Sequence, residues 1–247
     1  MKFMSTGKKV SKGDIIKFDF DGYIAESGEM FDTTNPENAK ANGIFNEKYK
    51  YAPMPLLVGG GRVFEGLEEA LTGATVGEEI EVIIPPEKAA GARDPKLIQT
   101  HSVREFLKQD IEPRPGMEVN MNNKVGVITS VTAGRVRVDF NRRFAGVALK
   151  YKFKVLEIID ADEDKVKAII EMDYGTSEGF KVKVDGKKVT ITLPDVCKYD
   201  QKWMLSKYKV VADLREAMQA NPIEYVEEYV KHEEKAPEEL GSEEDKS

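Results

Sequence analysis

The sequence predicts an α+β fold built mainly on an antiparallel, twisted β-sheet. Three segments alternate apolar and polar residues, at 15–24, 79–84 and 149–155. Such a period of two is typical of strands with one buried face. Only one short helical pattern falls between the first two segments. The combination indicates a twisted sheet that carries one short helix.

The boundaries of these elements follow from individual residues. The buried face of the first strand carries Ile16, Phe18 and Phe20, with polar residues between them. The second strand ends at two consecutive prolines, because proline cannot donate a hydrogen bond to a sheet. The helix is predicted over 63–71, where apolar residues recur at helical spacing and Gly73 ends the pattern.

Residues 93–145 interrupt this sheet before its last strand and read as a small, β-rich insert. A capping box, Ser102-Val103-Arg104-Glu105, predicts the start of a short helix through Lys108. Turn residues then separate three short strands. They are expected at 118–121, 125–129 and 135–140.

Residues 161–231 form a third unit, predicted to run α-β-β-α-β. Its elements are a helix at 165–172, strands at 180–184 and 189–193, a helix from Asp200 to Gln219 and a strand at 223–230. Asp185-Gly186 predicts a tight hairpin turn between the first two strands. The remaining tail, 232–247, is rich in Glu and Lys, and we expect it to be disordered.

Composition excludes several classes of function. The chain of 247 residues has one cysteine and two histidines, too few for a Cys/His zinc site, so we expect neither a metal nor a cofactor. The N-terminal residues lack the apolar core of a secretory signal, and no apolar stretch has spanning length, so a cytoplasmic protein without membrane contact is expected. The net charge of −7 argues against nucleic acid, although arginines at 135, 137, 142 and 143 leave RNA binding open as an alternative.

Four ordered motifs make the first unit recognisable. They are Gly22-Tyr23, Gly28-Glu29-Met30-Phe31-Asp32-Thr33, the run from Leu57 to Glu68, and Val76-Gly77-Glu78 leading to Pro85-Pro86. Together they resemble the FKBP family of peptidyl-prolyl cis/trans isomerases. The insertion site is similar to the insert-in-flap branch that includes SlyD-like chaperones, and the third unit resembles the long archaeal FKBPs. The resemblance implies an isomerase domain over 1–92 and 146–160.

The resemblance also implies an active site without nucleophile, metal or acid-base pair. A dry apolar pocket favours the twisted amide, which has lost its resonance and is less polar than the planar one. The implied catalytic residues are Tyr23, Phe31, Asp32, Val63, Phe64, Leu67 and Tyr151. Met54 and Ala90 are implied at substrate-binding positions. Ala90 stands where the family typically has a tyrosine whose hydroxyl donates to a substrate carbonyl, and this predicts looser substrate hold.

Two further expectations concern partners. The insert carries more apolar residues than about fifty residues can bury, among them Phe106, Val127 and Ile128, so we expect an exposed patch that binds unfolded polypeptides. The third unit has a small sheet with open edges, which favours a homodimer. The predicted function is therefore a peptidyl-prolyl isomerase with chaperone activity. The alternative, motivated by Ala90, is a holdase whose isomerase pocket is vestigial.

Overall fold

The computed structural model describes residues 7–229, and its main sheet has five strands. They are β1 Ile15–Ile24, β2 Met30–Thr33, β3 Met54–Leu57, β4 Glu79–Ile84 and, after the insert, β9 Leu149–Ile158. The order is β2-β1-β9-β4, with β3 paired to the first half of β1, and every pairing is antiparallel. The predicted α+β class is confirmed.

Two short helices accompany this sheet. The predicted one, α2 (Glu65–Leu71), buries Leu67 and Leu71 on the inward face of the sheet. Gly66 is required there, because a Cβ atom would come within 2.5 Å of the Ile84 side chain. The other helix, α1 (Pro36–Ala41), was not predicted. It is a single short turn stabilised by Asn35, whose side chain accepts hydrogen bonds from the first backbone amides, and it has no apolar period to detect.

The insert is a four-stranded sheet with one helix. Its elements are β5 Ile98–Ser102, α3 Val103–Leu107, β6 Glu118–Met121, β7 Lys124–Thr132 and β8 Arg135–Asp139, in the sheet order β5-β8-β7-β6. The predicted capping box is present at the start of α3. Strand β5 was missed because its sequence, Ile-Gln-Thr-His-Ser, lacks apolar alternation.

The two connections of the insert to the main sheet are held together by polar contacts. Asp94 N donates to Asn141 Oδ1 over 2.8 Å, and Asn141 Nδ2 returns a hydrogen bond to the Asp94 carbonyl. Arg93 pairs with Asp139, and Gly146 N donates to the Gly91 carbonyl over 2.8 Å. These contacts join the start and the end of the insert.

The C-terminal unit (residues 161–229 as described) follows the predicted α-β-β-α-β order. Its elements are α4 Asp162–Tyr174, β10 Lys181–Asp185, β11 Lys188–Leu193, α5 Gln201–Met218 and β12 Ile223–Glu227, in the sheet order β10-β11-β12. Trp203 lies at the centre of its core, with Tyr174, Phe180 and Tyr225 around the indole ring. The predicted tail 232–247 lies outside the described residues.

The C-terminal unit shares its core with the main sheet. Ile15 of β1 and Leu57 of β3 belong to the same buried cluster as Trp203. Residues 160–162, between β9 and α4, therefore connect two parts of one packed core, since Ile159 and Val166 both belong to that cluster. None of the helices within residues 7–229 is long and apolar enough to cross a membrane.

Candidate active site

The candidate site is a partly buried apolar surface on the inward face of the main sheet, which includes Phe31, Val63 and Phe64, hereafter the cleft. Five partly buried side chains, Phe20, Phe31, Met54, Val63 and Phe64, pack against the core cluster that contains Leu67 and Tyr151. The pairing of β1 with β3 and with β9 puts Met54, Phe20 and Tyr151 on one face of the sheet, because residues directly opposite each other in an antiparallel pair share a face. The predicted residues Phe31, Val63, Phe64, Leu67 and Tyr151 thus belong to one apolar cluster.

Aromatic rings form the floor of this cleft. The Phe31 ring meets Tyr151 edge-on at 5.7 Å between centroids, and Phe20 lies 5.9 Å from Tyr151. On the other side of Phe31, Phe144 approaches to 4.6 Å. Aromatic pairs at these distances add attraction beyond the area that they bury. The result is an apolar surface assembled from β1, β2, β9 and the segment that closes the insert.

Gly22 allows the Phe31 ring to reach this position. A Cβ atom on Gly22 would lie 2.7 Å from the tip of the Phe31 ring, closer than any side chain tolerates. Gly22 is paired with Asp32 on β2 and with Tyr151 on β9, so it sits between the polar and the aromatic member of the site. The Gly22 motif thus has a steric role in the cleft.

Asp32 is the half-buried carboxylate of the cleft. Burial raises its pKa above the ordinary value, although the Thr33 amide, which donates to Asp32 Oδ1 over 2.9 Å, and the nearby Arg143 guanidinium act in the opposite direction. Its charge, together with burial, in turn raises the pKa of the Tyr49 and Tyr151 phenols. Asp32 therefore provides a negative field at the edge of an aromatic surface.

The position of Tyr23 corrects the sequence-based assignment. Tyr23 pairs with Lys150, and the Lys150 ammonium lies 5.2 Å from the centre of its ring. Its phenol pKa is raised by burial and by Asp21, and lowered by Lys152, all on the outward face of the sheet. Alternation along the second half of β1 puts Asp19, Asp21 and Tyr23 on the outward face. Tyr23 is therefore not a wall of the cleft, and Phe20, on the inward face, occupies that place.

Three residues of the site were missed. Phe20 was predicted to be buried, but its alternation alone could not distinguish the cleft from the core. Phe144 has a positive φ of 67°, rare for a residue with a side chain, and the Arg143 guanidinium lies 4.6 Å from its ring centre. Arg143 itself had been counted with a surface basic cluster. Phe144 lies in the segment 140–148 between β8 and β9, where no strand or helix pattern could have indicated its role.

Comparison with known proteins identifies the family. Residues 6–107 match the FKBP-type peptidyl-prolyl cis-trans isomerase family, residues 100–144 the family described as FKBP26, IF domain, and residues 162–230 the family FKBP26_C-terminal. The short-type peptidyl-prolyl cis-trans isomerase of Methanocaldococcus jannaschii is 40% identical over 156 residues, which are 63% of this chain and 98% of that protein. The chain belongs to the FKBP family.

Two bacterial FKBPs are also similar. The FKBP-type 16 kDa peptidyl-prolyl cis-trans isomerase of Escherichia coli is 32% identical over 140 residues, 55% of this chain and 88% of that protein. The FKBP-type isomerase SlyD of Escherichia coli is 34% identical over 127 residues, 50% of this chain and 64% of that protein. The chain is therefore a peptidyl-prolyl cis-trans isomerase, and the resemblance inferred from its motifs is confirmed.

Within this FKBP, the predicted substrate-binding positions divide into two groups. Met54 packs against the core at the cleft. Ala90 is half-buried in the segment that connects β4 to the insert. In the insert, Phe106 and Ile128 are buried in its small core and have no surface to offer a ligand, which corrects the expectation for both. Val127 points the other way along β7 and is 40% exposed.

Proposed function

We propose that this FKBP binds X-Pro segments of polypeptides in the cleft and rotates the amide without covalent chemistry. The supporting observation is the juxtaposition of a half-buried carboxylate, Asp32, with the ring pair Phe31 and Tyr151. The proposed catalytic group consists of Phe20, Phe31, Asp32, Val63, Phe64, Leu67 and Tyr151. Met54 and Phe144 extend the apolar wall towards the substrate residues that flank the proline.

The physical basis is the change in polarity during rotation. A peptide bond resists rotation by about 18–20 kcal/mol because resonance makes it partly double. In the twisted state that resonance is lost, and the carbonyl is less polar than in either planar isomer. A dry aromatic surface therefore stabilises the twisted amide more than the planar one, which lowers the barrier.

The Tyr151 hydroxyl is suited to replace the donor that Ala90 lacks. Among the described residues it has no hydrogen-bond partner, and its oxygen is not sealed from solvent. The pKa of this phenol is raised by burial and by Asp32, so the hydroxyl keeps its proton at neutral pH. A protonated, unpaired hydroxyl in an apolar cleft is a donor for a substrate carbonyl. This favours an active isomerase over a vestigial pocket.

The decisive test is a protease-free assay of cis/trans exchange on an X-Pro peptide. Phe31→Ala should lower the exchange rate by about tenfold or more, and a tenfold loss corresponds to about 1.4 kcal/mol less stabilisation of the transition state. The matched control is Tyr199→Ala, since Tyr199 is an aromatic residue exposed on the C-terminal unit. Circular dichroism confirms that both variants are folded. Full activity in folded Phe31→Ala would contradict the proposed site.

We further propose that the insert holds unfolded chains near the cleft. The supporting observation is a set of exposed apolar residues on its surface: Leu107, Met117, Val125 and Val127. Captured chains keep their prolines at high effective concentration beside the active site. The proposed domains are then an isomerase domain over 1–92 and 146–160, a chaperone insert over 93–145 and a C-terminal domain over 161–231.

A further inference from the structure

Two loops that border the cleft are tied to the C-terminal unit by ion pairs. Lys50, in the loop between α1 and β3, lies 2.8 Å from Glu171 of α4. Arg62, in the glycine-rich loop before α2, lies 2.7 Å from Asp173 of α4 and also pairs with Asp213 of α5. Glu171 and Asp173 of α4 therefore each form an ion pair with a loop that borders the cleft.

The ion pairs of Arg62 are much more buried than the ion pair of Lys50. The Asp173 side chain is fully buried, and the Arg62 and Asp213 side chains are 16% and 13% exposed. Lys50 is mostly exposed, and ion pairs of that kind contribute little. Loss of Arg62 would remove this partner from Asp213 and leave Asp173 with the exposed Lys209, 3.3 Å away, which is more costly than breaking a surface pair. Arg62 is therefore the principal anchor.

The position of Arg62 in the chain connects this anchor to the cleft. Val63 and Phe64, which follow it directly, are partly buried against the cleft core. On the other side, Gly59 and Gly61 donate their backbone amides to one oxygen of Glu68 in α2, over 2.8 and 3.1 Å. A loop with three consecutive glycines has much conformational freedom of its own. Its path is set by Glu68 at one end and by the C-terminal carboxylates at the other.

The C-terminal unit can act as this support because it is packed against the main sheet. Ile15 of β1 and Leu57 of β3 are buried in the cluster that holds Trp203, so the contact between the units is a continuous apolar core. The same unit also approaches the floor of the cleft. A cavity of about 150 Å³ is lined both by Phe20 and Met54 and by Glu171 and Gly175 of the C-terminal unit.

We propose that Arg62 is a positioning residue through which the C-terminal unit fixes the Val63–Phe64 wall of the isomerase cleft. Arg62 does not contact the substrate. It holds the glycine-rich loop so that the wall is in place before the substrate binds, which spares the substrate the cost of ordering the loop. The inference rests on the proposed site, because it assigns Val63 and Phe64 to the substrate cleft.

The test is a double-mutant cycle measured with the full-length protein and a short X-Pro peptide. Arg62→Ala and Asp213→Asn are made singly and together, with Arg62→Lys as the conservative variant. The control is Lys8→Ala, which removes another long-range ion pair, Lys8 to Asp160 at 2.6 Å, that touches no cleft loop. The fluorescence of Trp203, the single tryptophan, reports whether the C-terminal core is intact in each variant.

Arg62→Ala and Asp213→Asn should each lower kcat/KM by about threefold or more while the fluorescence is unchanged. The double variant should be no worse than Arg62→Ala alone, because Arg62→Ala already removes the Arg62–Asp213 pair. Arg62→Lys should recover part of the loss, and Lys8→Ala should have no effect.

Unchanged activity in Arg62→Ala, or fully additive effects of the two substitutions, would overturn the inference. An effect of Arg62→Ala without one of Asp213→Asn would support it with Asp173 as the carboxylate that holds Arg62. Phe31→Ala is measured alongside. If it lowers exchange while the Arg62 variants do not, only this inference fails. If Phe31→Ala is also fully active, the proposed site itself is wrong.

Discussion

Asp32 illustrates at the scale of one residue how function opposes stability. Burial raises the pKa of its carboxyl group above that of an unfolded chain. Such a group contributes stability below its unfolded pKa, and this contribution is lost as the pH rises through the folded pKa. At neutral pH, the ionised carboxylate is therefore held in the cleft against its own solvation preference. A charge kept under those conditions is available to act on the substrate.

The first expectation at this scale is that Asp32→Asn lowers peptide exchange without lowering stability at about pH 7. The carboxamide keeps the shape of the side chain and removes the buried charge, so the free energy of unfolding should stay equal or rise. The difference in the free energy of unfolding between the variant and the wild type should disappear as the pH falls through the raised pKa of Asp32. Urea titrations monitored by circular dichroism, at neutral pH and at a pH below the raised pKa of Asp32, measure the free energy of unfolding of both proteins.

Asp19→Asn is the matched control for this substitution. Asp19 lies on the outward face of β1, where it accepts a hydrogen bond from Thr34 Oγ1 over 2.9 Å. Exchange should be unaffected in this variant. If both variants lost activity equally, the field of Asp32 would have no specific role in the cleft.

The two tyrosines of the β1 and β9 pair provide a second comparison. Tyr151→Phe removes the proposed donor, and it should lower exchange by a factor up to about ten, as expected for one neutral hydrogen bond of about 0.5–1.5 kcal/mol. Tyr23→Phe removes a hydroxyl on the outward face and should change nothing. Exchange rates of both variants on the same peptide show which of the two hydroxyls contributes to catalysis. The reverse pattern would return Tyr23 to the active site.

At the scale of elements, periodicity decides what can be predicted. The strands β1, β4 and β9, the capped helix α3 and the C-terminal elements were found from alternation, caps and turns. Helix α1 and strand β5 were missed, since one is stabilised by a single cap and the other by pairing with β8. Neither signal is visible as an apolar period in the sequence.

Strand β7 of the insert carries the next expectation. Val125 is 62% exposed on the face opposite the buried Ile128, and we expect Val125→Ser to weaken the suppression of aggregation of an unfolded client. Val196→Ser is the control, because Val196 is equally exposed but lies in the C-terminal unit. Peptide exchange should be unchanged in both variants. Equal loss of suppression in both would mean that the insert has no special role in capture.

At the scale of the whole molecule, helix α5 has an apolar stripe that residues 7–229 leave exposed. Met204, Leu205 and Tyr208 are exposed at helical spacing, although the opposite face of the helix buries Trp203, Val210 and Leu214. The three-stranded sheet beside it also has open edge strands, β10 and β12. Exposed apolar stripes and open sheet edges are both surfaces that favour association.

We therefore expect a homodimer that forms through the C-terminal unit. Light scattering over a range of concentrations should give the mass of a dimer, and Leu205→Ser combined with Tyr208→Ser should shift it towards the monomer. Tyr199→Ser, at an exposed residue just before α5, is the control and should remain dimeric. A monomer at high concentration, unaffected by removal of residues from 161 onward, would contradict this expectation.

The sequence by itself determined the family and the α+β fold class, because motifs and periods are local properties of the chain. Only the tertiary structure decided which side of β1 faces the cleft, and this exchanged Tyr23 for Phe20. Only the tertiary structure shows that Phe144 contacts Phe31, and that Ile15 and Leu57 are buried in the C-terminal core. These features depend on strand pairing and on contacts between residues far apart in the chain, which a pattern confined to neighbouring residues does not record.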